Sequence, residues 1–495
     1  MIRHLSWLWG GNIVSALLGI ISGALIARIL SSEAMGRMGL LLAVCTFFNS
    51  VFLAWVQAPL IKYGKESFEK SGGILAVWIK RLPLLLVSLM FIVLFTIPSV
   101  ASKWSSYIGM GWSWWMSALV IFGVLTLWSQ AEIITLAQIQ ERFSVISKMS
   151  VFKQLLCAIA FAAILWGGYG AGAQSALFIT FLAGALASLL SARTLFYNRR
   201  EKAVSKTVDV NTCSRWEMAM HGIPLTGAML AGYLSYYGDH WLINARLTVG
   251  DVGQFFVAYQ VFLLISGLTS PFCSVLLPRL ISEEASGKAD AGKNIQKVFP
   301  AANIIWLMFV IFVSAVMPEI YTIVYSSRYL PALIPLMVLL SGTVFCLLSS
   351  TYSPYFNVQS RLSRSAWIGV FMTAVNLLFS WFLLPIIGIL GSAIGTSISY
   401  VVGGLFYVMD QQRHYNVKEY GQITIGMVAM ALILLNIPLL DHQVVRYGLC
   451  LTAIGLLLIV ARRLKYFDFI DFDGLTVRYP SCGRWLKTIF IPVEV

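Results

Sequence analysis

Charge is scarce in this chain: across 495 residues, Asp, Glu, Lys and Arg together make up 11%, against about a quarter in a soluble domain. That leaves too little polar surface to coat a globule in water, so a soluble enzyme is excluded. Paired cysteines are also missing. The seven cysteines (Cys45, Cys157, Cys213, Cys273, Cys346, Cys450 and Cys482) are scattered without Cys-x-x-Cys spacing. They exclude a disulfide or zinc framework and read as small apolar packing residues. No Asn-x-Ser/Thr acceptor occurs, and no Ala-x-Ala cleavage pattern follows the apolar run after Arg3. That run is too long for a signal h-region and is expected to stay as a span. Acidic residues are the scarcer sign, 21 against 35 basic ones, giving a formal charge of +14. With this composition the excess raises the question of which membrane face carries it, and implies no nucleic-acid partner.

What is abundant is apolar sequence, at 59% of residues. A helix needs about 20 largely apolar residues to cross a bilayer. Such stretches lie near 8–30, 38–61, 82–100, 112–137, 149–166, 174–195, 219–243, 254–277, 298–318, 332–356, 366–384, 390–409, 421–440 and 443–461. They are long and unalternating, unlike barrel strands. The third is the least regular, because Lys80 and Arg81 stand at its start. With the N-terminus inside, 29 of the 35 basic residues fall in inner segments; only Arg28, Arg37, Lys103, Arg246, Arg328 and Arg446 fall outside. The expectation is an all-α polytopic membrane protein with 14 transmembrane helices and both termini cytoplasmic.

A repeat organises these spans. The corner AlaArgIleLeuSerSerGluAlaMetGly (27–36) resembles AlaArgLeuThrValGlyAspValGly (245–253), six spans later. An even separation gives both copies the same topology, hence a parallel repeat. The expected organisation is an N-terminal six-helix lobe (1–197), a basic cytoplasmic linker (198–215) and a second six-helix lobe (216–410). Two additional helices (421–461) and a basic, aromatic tail (462–495) follow, the tail suited to lie on the inner leaflet.

Ionisable groups inside a span cost about 2.5–3.5 kcal/mol on insertion scales, so each needs a reason. Arg28 and Arg246 end their helices at the outer side. Each is either a snorkelling anchor at a helix C-terminus or a guanidinium that binds phosphate bidentately. Lys62 and Lys153, at the inner ends of spans 2 and 5, read as positive-inside flanks or as receivers of an anionic head group. Glu132 and Asp239 are the candidate ion-coupling carboxylates; Asp239 alternatively pairs with an arginine of its corner, beside His240. Glu319 reads as interfacial. Trp7, Trp9, Trp104, Trp112, Trp114 and Trp115 form an aromatic belt, and Gly19-x-x-x-Gly23 and Gly391-x-x-x-Gly395 allow close helix contact. Two decoys fall away. GlyLysAlaAspAlaGlyLysAsn (287–294) ends a P-loop pattern on Asn294 and has no strand before it. AspPheAspGly (471–474) lacks the spacing of a calcium loop. No catalytic or metal site is expected.

The two corners, together with GlyAspHisTrpLeuIleAsnAlaArg (238–246), LeuLeuProArgLeuIle (276–281) and ProIleIleGlyIleLeuGlySerAla (385–393), resemble the polysaccharide-transporter branch of the multidrug/oligosaccharidyl-lipid/polysaccharide exporters. The likeness covers roughly residues 5–410, with His240 standing where the family often has Arg. It implies a Wzx-type flippase that moves a polyprenyl-diphosphate-linked oligosaccharide from inner to outer leaflet by alternating access, for O-antigen, capsule or exopolysaccharide synthesis. Its setting would be a bacterial inner membrane, its partners membrane lipids, a polysaccharide polymerase and a chain-length regulator. No cofactor is implied beyond coupling to H+ or Na+. The alternative is a cation-coupled multidrug or metabolite antiporter of the MATE type, although span 1 has Asn12, Ser15 and Ser22 and no carboxylate. An enzyme is not expected, since the longest outer loop, near 101–111, has Lys103 as its only charge.

Overall fold

A computed structural model describes residues 2–57, 60, 63–64, 75–168, 170, 172–197, 214–269, 291–358, 362–415 and 420–463. Lys62, most of the linker 198–215, the 276–281 motif, Cys213, Cys273, Cys482, most of the 287–294 segment, and the tail beyond Arg463 lie outside the described residues.

The described chain is helical. In order it forms α1 (Ile2–Ile29), α2 (Ser32–Phe48), α3 (Leu75–Phe95), α4 (Pro98–Tyr107), α5 (Trp114–Ile139), α6 (Phe143–Trp166), α7 (Ala173–Tyr197) and α8 (Arg215–Arg246). The series continues with α9 (Val249–Ser266), α10 (Ala291–Val324), α11 (Leu333–Val358), α12 (Leu362–Ile387), α13 (Ile389–Tyr415), α14 (Tyr420–Leu435) and α15 (Gln443–Arg463). Each of the fourteen apolar stretches has a helix, and α4 adds a short one between the third and fourth. Among the described residues, eleven helices are long and apolar enough to cross a membrane, or twelve if α3 and α4, bent by 68°, form one span. The helices α8 and α14 fall outside that set, so the count of fourteen stays a reading of the sequence. The chain is a multi-pass membrane protein.

Local chemistry sets the boundaries. Ser31 accepts from the Ala34 amide at 3.2 Å and starts α2. Thr248 and Asp251 cap each other at the start of α9, with Thr248 Oγ1 donating to Asp251 at 2.6 Å and accepting from its amide at 3.2 Å. Ser214 and Glu217 form a full capping box on α8, which satisfies amides that the first helical turn leaves open. Gly388, at φ 62°, separates α12 from α13; a side chain would be strained there. The third span begins earlier than expected, at Leu75, and encloses Lys80, Arg81 and Pro83.

By packing, the described residues fall into two compact units with different boundaries from the repeat-based lobes. The first comprises Met1–Leu264, Val324–Ala332 and Leu377–Ser392. In it, Leu60, Val77, Ile133, Leu136, Val145, Met149, Leu195 and Met218 share one apolar cluster. The second comprises Ile265–Ile323, Leu333–Asn376 and Ala393–Val495. There the Trp306 indole donates to the Thr343 carbonyl at 2.9 Å, and Ser397 donates to the Val338 carbonyl at 2.7 Å. The last helix is tied in by a buried charge: Arg446 of α15 donates to Glu319 of α10 and to the Leu440 carbonyl. Glu319, expected at an interface, is thus the counter-ion of a fully buried arginine.

Candidate functional site

The first unit holds a cavity of about 190 Å³ where α1, α2, α5, α6, α7 and α9 converge. Most of its wall is apolar, from Ile26, Met38, Phe181 and Phe256 among others, but a polar set faces it from α1, α6 and α9: Ser22, Lys153, Gln154 and Gln260. Gly19 and Gly23 bring α1 close to this space. A Cβ at Gly19 would lie 3.1 Å from Leu264 Cδ2, and one at Gly23 3.6 Å from the Tyr325 hydroxyl.

Among the described residues of this lining Lys153 is the charged one, and none is a carboxylate. The helix α6 begins at Phe143, after a turn in which Glu141 takes φ 57°. Lys153 therefore stands ten residues from one end and thirteen from the other, about 15 Å and 20 Å along the axis at 1.5 Å per residue. This corrects its expected place at the inner end of the span: the helix starts six residues before the apolar stretch at 149. Its ammonium donates to Gln130 Oε1 of α5 at 3.1 Å, and the opposite end of that amide, Nε2, has no hydrogen-bond partner among the described residues. Gly184 of α7 makes room for it, since a Cβ there would lie 2.4 Å from Gln130 Nε2. Ser22 donates to Gln154 Oε1 at 3.3 Å, linking α1 to the same face of α6. One cation, amide dipoles and hydroxyls in a mostly apolar wall suit an anion.

The other expected residues stand elsewhere. Arg28, exposed at the end of α1, donates through Nε to the Val324 carbonyl at 3.3 Å, at the C-terminus of α10. Arg246 ends α8 with its guanidinium carbon 3.5 Å from the centre of the Trp381 ring, a cation–π contact. Neither lines the cavity. Glu132 is buried and held by Arg81, with Nη1 and Nη2 donating to its two oxygens at 3.0 and 2.9 Å. Arg81 also donates to the Val56 carbonyl at 3.2 Å. Asp239 is buried and accepts from Ser380 Oγ at 2.7 Å. His240 is enclosed by the rings of Tyr237, Phe255, Phe256 and Tyr259, with centroids 5.5 to 5.7 Å away. Among the described residues, neither of its ring nitrogens has a hydrogen-bond partner. Lys62 lies outside the described residues.

Sequence reasoning did not connect Arg81 with Glu132, or Gln130 with Lys153. The first pair spans 51 residues, and a lone arginine at a span entrance looks topogenic. The second had a readable signal. The Glu141–Arg142 turn, placed as a helix boundary, puts Lys153 well inside the next span.

The two corners of the repeat meet in the first unit. A Cβ on Gly36 would lie 1.9 Å from the Val249 carbonyl oxygen, and one on Gly253 1.9 Å from the Ser32 carbonyl oxygen. Packing of helices backbone to backbone requires such small residues.

The family model for polysaccharide biosynthesis proteins matches residues 1–284. The chain belongs to this family. No curated protein sequence matches this polysaccharide biosynthesis protein. Among solved structures, it is similar to the lipid II flippase MurJ in an inward closed conformation. The TM-score is 0.63 at 14% identity, over 92% of this chain and 99% of that one. It is also similar to an inward-facing multidrug resistance MATE transporter, with TM-score 0.54 and 16% identity over 83% and 99% of the chains. A transporter of the same MOP superfamily from Pyrococcus furiosus matches at TM-score 0.53 and 17% identity, over 84% and 95%. At these identities the likeness establishes the MOP fold.

Proposed function

We propose that this member of the polysaccharide biosynthesis family is a flippase for a polyprenyl-diphosphate-linked oligosaccharide, carrying the sugar-bearing head group from the inner to the outer leaflet by alternating access. The observation that carries this reading is Lys153, a cation near the middle of a membrane helix, facing a cavity whose described lining has no carboxylate. An ionisable residue at that depth marks a substrate path by default, and the charge selects the anionic part of such a lipid. The family match and the fold shared with a lipid II flippase support the same substrate class. In this account the polyprenyl tail stays in the bilayer while the diphosphate passes Lys153. The crossing of α2 and α9 at Gly36 and Gly253 separates when the outer side opens. Arg28 and Arg246 act at the outer corners, and O-antigen, capsule or exopolysaccharide is the product served, in a bacterial inner membrane with cytoplasmic termini.

A cation-coupled drug antiporter of the MATE type shares the fold, but a lining with a lysine and no carboxylate repels the cations such a protein would handle. For coupling to H+ or Na+, the buried carboxylates Glu132 and Asp239 are the candidates, Glu132 being paired with Arg81. A deletion experiment separates the two functions. Loss of the protein should make lipid-linked repeat units accumulate with unaltered drug susceptibility. Sensitivity to cationic drugs with unaltered surface glycan would reverse the assignment.

A further inference from the structure

A second concavity of the first unit, about 770 Å³, lies between α1, α6 and α7, and shares no lining residue with the Lys153 cavity. Two glycines create it. At Gly11, α1 presses on α6 so closely that a Cβ would lie 2.4 Å from Ser147 Cβ, whereas a Cβ at Gly10 would meet nothing within 4 Å. The helices touch at one position and leave an opening at the next. Along this opening run Val14, Val151, Phe152, Leu155, Ala187 and Leu190, with Val14 45%, Leu155 40% and Leu190 49% exposed.

Polarity is graded along the groove. Lys148, Ser191 and Thr194 line one end. Arg142 donates to the Thr194 carbonyl at 3.3 Å and so stands at the same end. Lys148 and Arg142 thus bring two basic side chains to this end, with Glu141 next to Arg142 in the chain. From Lys148 to Leu155 the apolar floor rises about 10 Å along α6. With the N-terminus inside, the basic end lies at the inner head-group level and the apolar end within the hydrocarbon of the inner leaflet. A basic mouth at phosphate depth above an apolar trough has the polarity of a single anionic lipid, and guanidinium and ammonium groups are what hold a lipid phosphate at an inner leaflet.

We infer that this groove is a binding site for an anionic phospholipid of the inner leaflet, with its phosphate at Arg142 and Lys148 and one acyl chain along Val151, Phe152 and Leu155. The assignment stands on the positive-inside orientation and is separate from the transport reading. The bound lipid would brace α1 against α6 and α7, three helices of the first unit.

The test is native mass spectrometry of the full chain, released from vesicles of equal phosphatidylglycerol and phosphatidylethanolamine. Wild type should retain phosphatidylglycerol with roughly thirtyfold enrichment, the size expected for two basic groups at about 1 kcal/mol each. Arg142→Gln combined with Lys148→Gln should abolish the enrichment, while Lys103→Gln, a charge predicted on the other face, should keep it. Gly10→Leu fills the trough without changing charge and should also lower retention, with thermal melting confirming that each variant is folded. Equal retention of the two lipids by wild type, or an undiminished preference in the folded double variant, would overturn the site. Displacement of phosphatidylglycerol by polyprenyl phosphate at equal concentration would give the groove to the substrate tail and also overturn the assignment.

Discussion

Gly36 and Gly253 interlock reciprocally: the carbonyl that bars a side chain at each glycine lies four residues before the other one, at Val249 and at Ser32. Such a self-complementary contact is what a two-fold relation produces. The caps agree, because Ser31 opens α2 and Thr248 opens α9, each five residues before its glycine. The two corner segments that resemble each other in sequence are therefore in direct contact.

A side chain at either glycine must push the α2–α9 crossing apart. Gly36→Val and Gly253→Val should each cost about 1–3 kcal/mol, the usual range for overpacking. The double variant should cost clearly less than the two losses added, because the first substitution already separates the backbones. Melting curves of the three proteins decide this, and strict additivity would show that the two positions are independent.

Arg81 and Glu132 form the buried bidentate pair of the first unit. Removing one partner strands a charge, so Glu132→Gln or Arg81→Met alone should destabilise by about 3–5 kcal/mol. Arg81→Met with Glu132→Leu should recover much of that loss. If Glu132→Gln melts like wild type and instead removes ion dependence of transport, Glu132 is a coupling residue and the structural assignment fails.

Gly184→Ala probes the site without touching its charge. The added methyl meets Gln130 Nε2, the end of a flexible side chain, so folding should change by less than about 1 kcal/mol while the amide moves away from Lys153. Transport should fall several-fold, and Gln130→Ala should reproduce the effect. Wild-type transport in both variants would show that Gln130 does not position the ammonium.

Arg446 holds α15 to α10 through Glu319, and an apolar substitution leaves that carboxylate without its counter-ion. Arg446→Leu should lower the yield of folded protein, and Glu319→Gln in the same chain should restore part of it. No restoration would place the value of Arg446 in its bond to the Leu440 carbonyl.

The helices were legible because a membrane span leaves a one-dimensional signature: fourteen apolar runs, each of which has a helix. The two corners were legible because their Ala-Arg and Gly residues recur. The depth of Lys153 was not, since the apolar stretch beginning at 149 left out the first six residues of α6. Ion pairs such as Arg81–Glu132 and Arg446–Glu319 join residues 51 and 127 positions apart, and spacing in one chain does not encode such contacts. The anion-favouring cavity likewise depends on six helices converging, which hydropathy alone does not reveal.

The most direct test is head-group translocation in vesicles reconstituted with the purified chain, using a fluorescent polyprenyl-diphosphate-linked oligosaccharide and a membrane-impermeant quencher. Wild type should move the lipid to the quenched leaflet. Lys153→Gln should slow that movement at least about tenfold, since a charge-assisted contact to phosphate is worth about 1.5–3 kcal/mol, whereas Arg28→Ala should have a smaller effect. Translocation at the wild-type rate by a folded Lys153→Gln protein would contradict the role of Lys153, and no translocation by wild type would contradict the flippase itself.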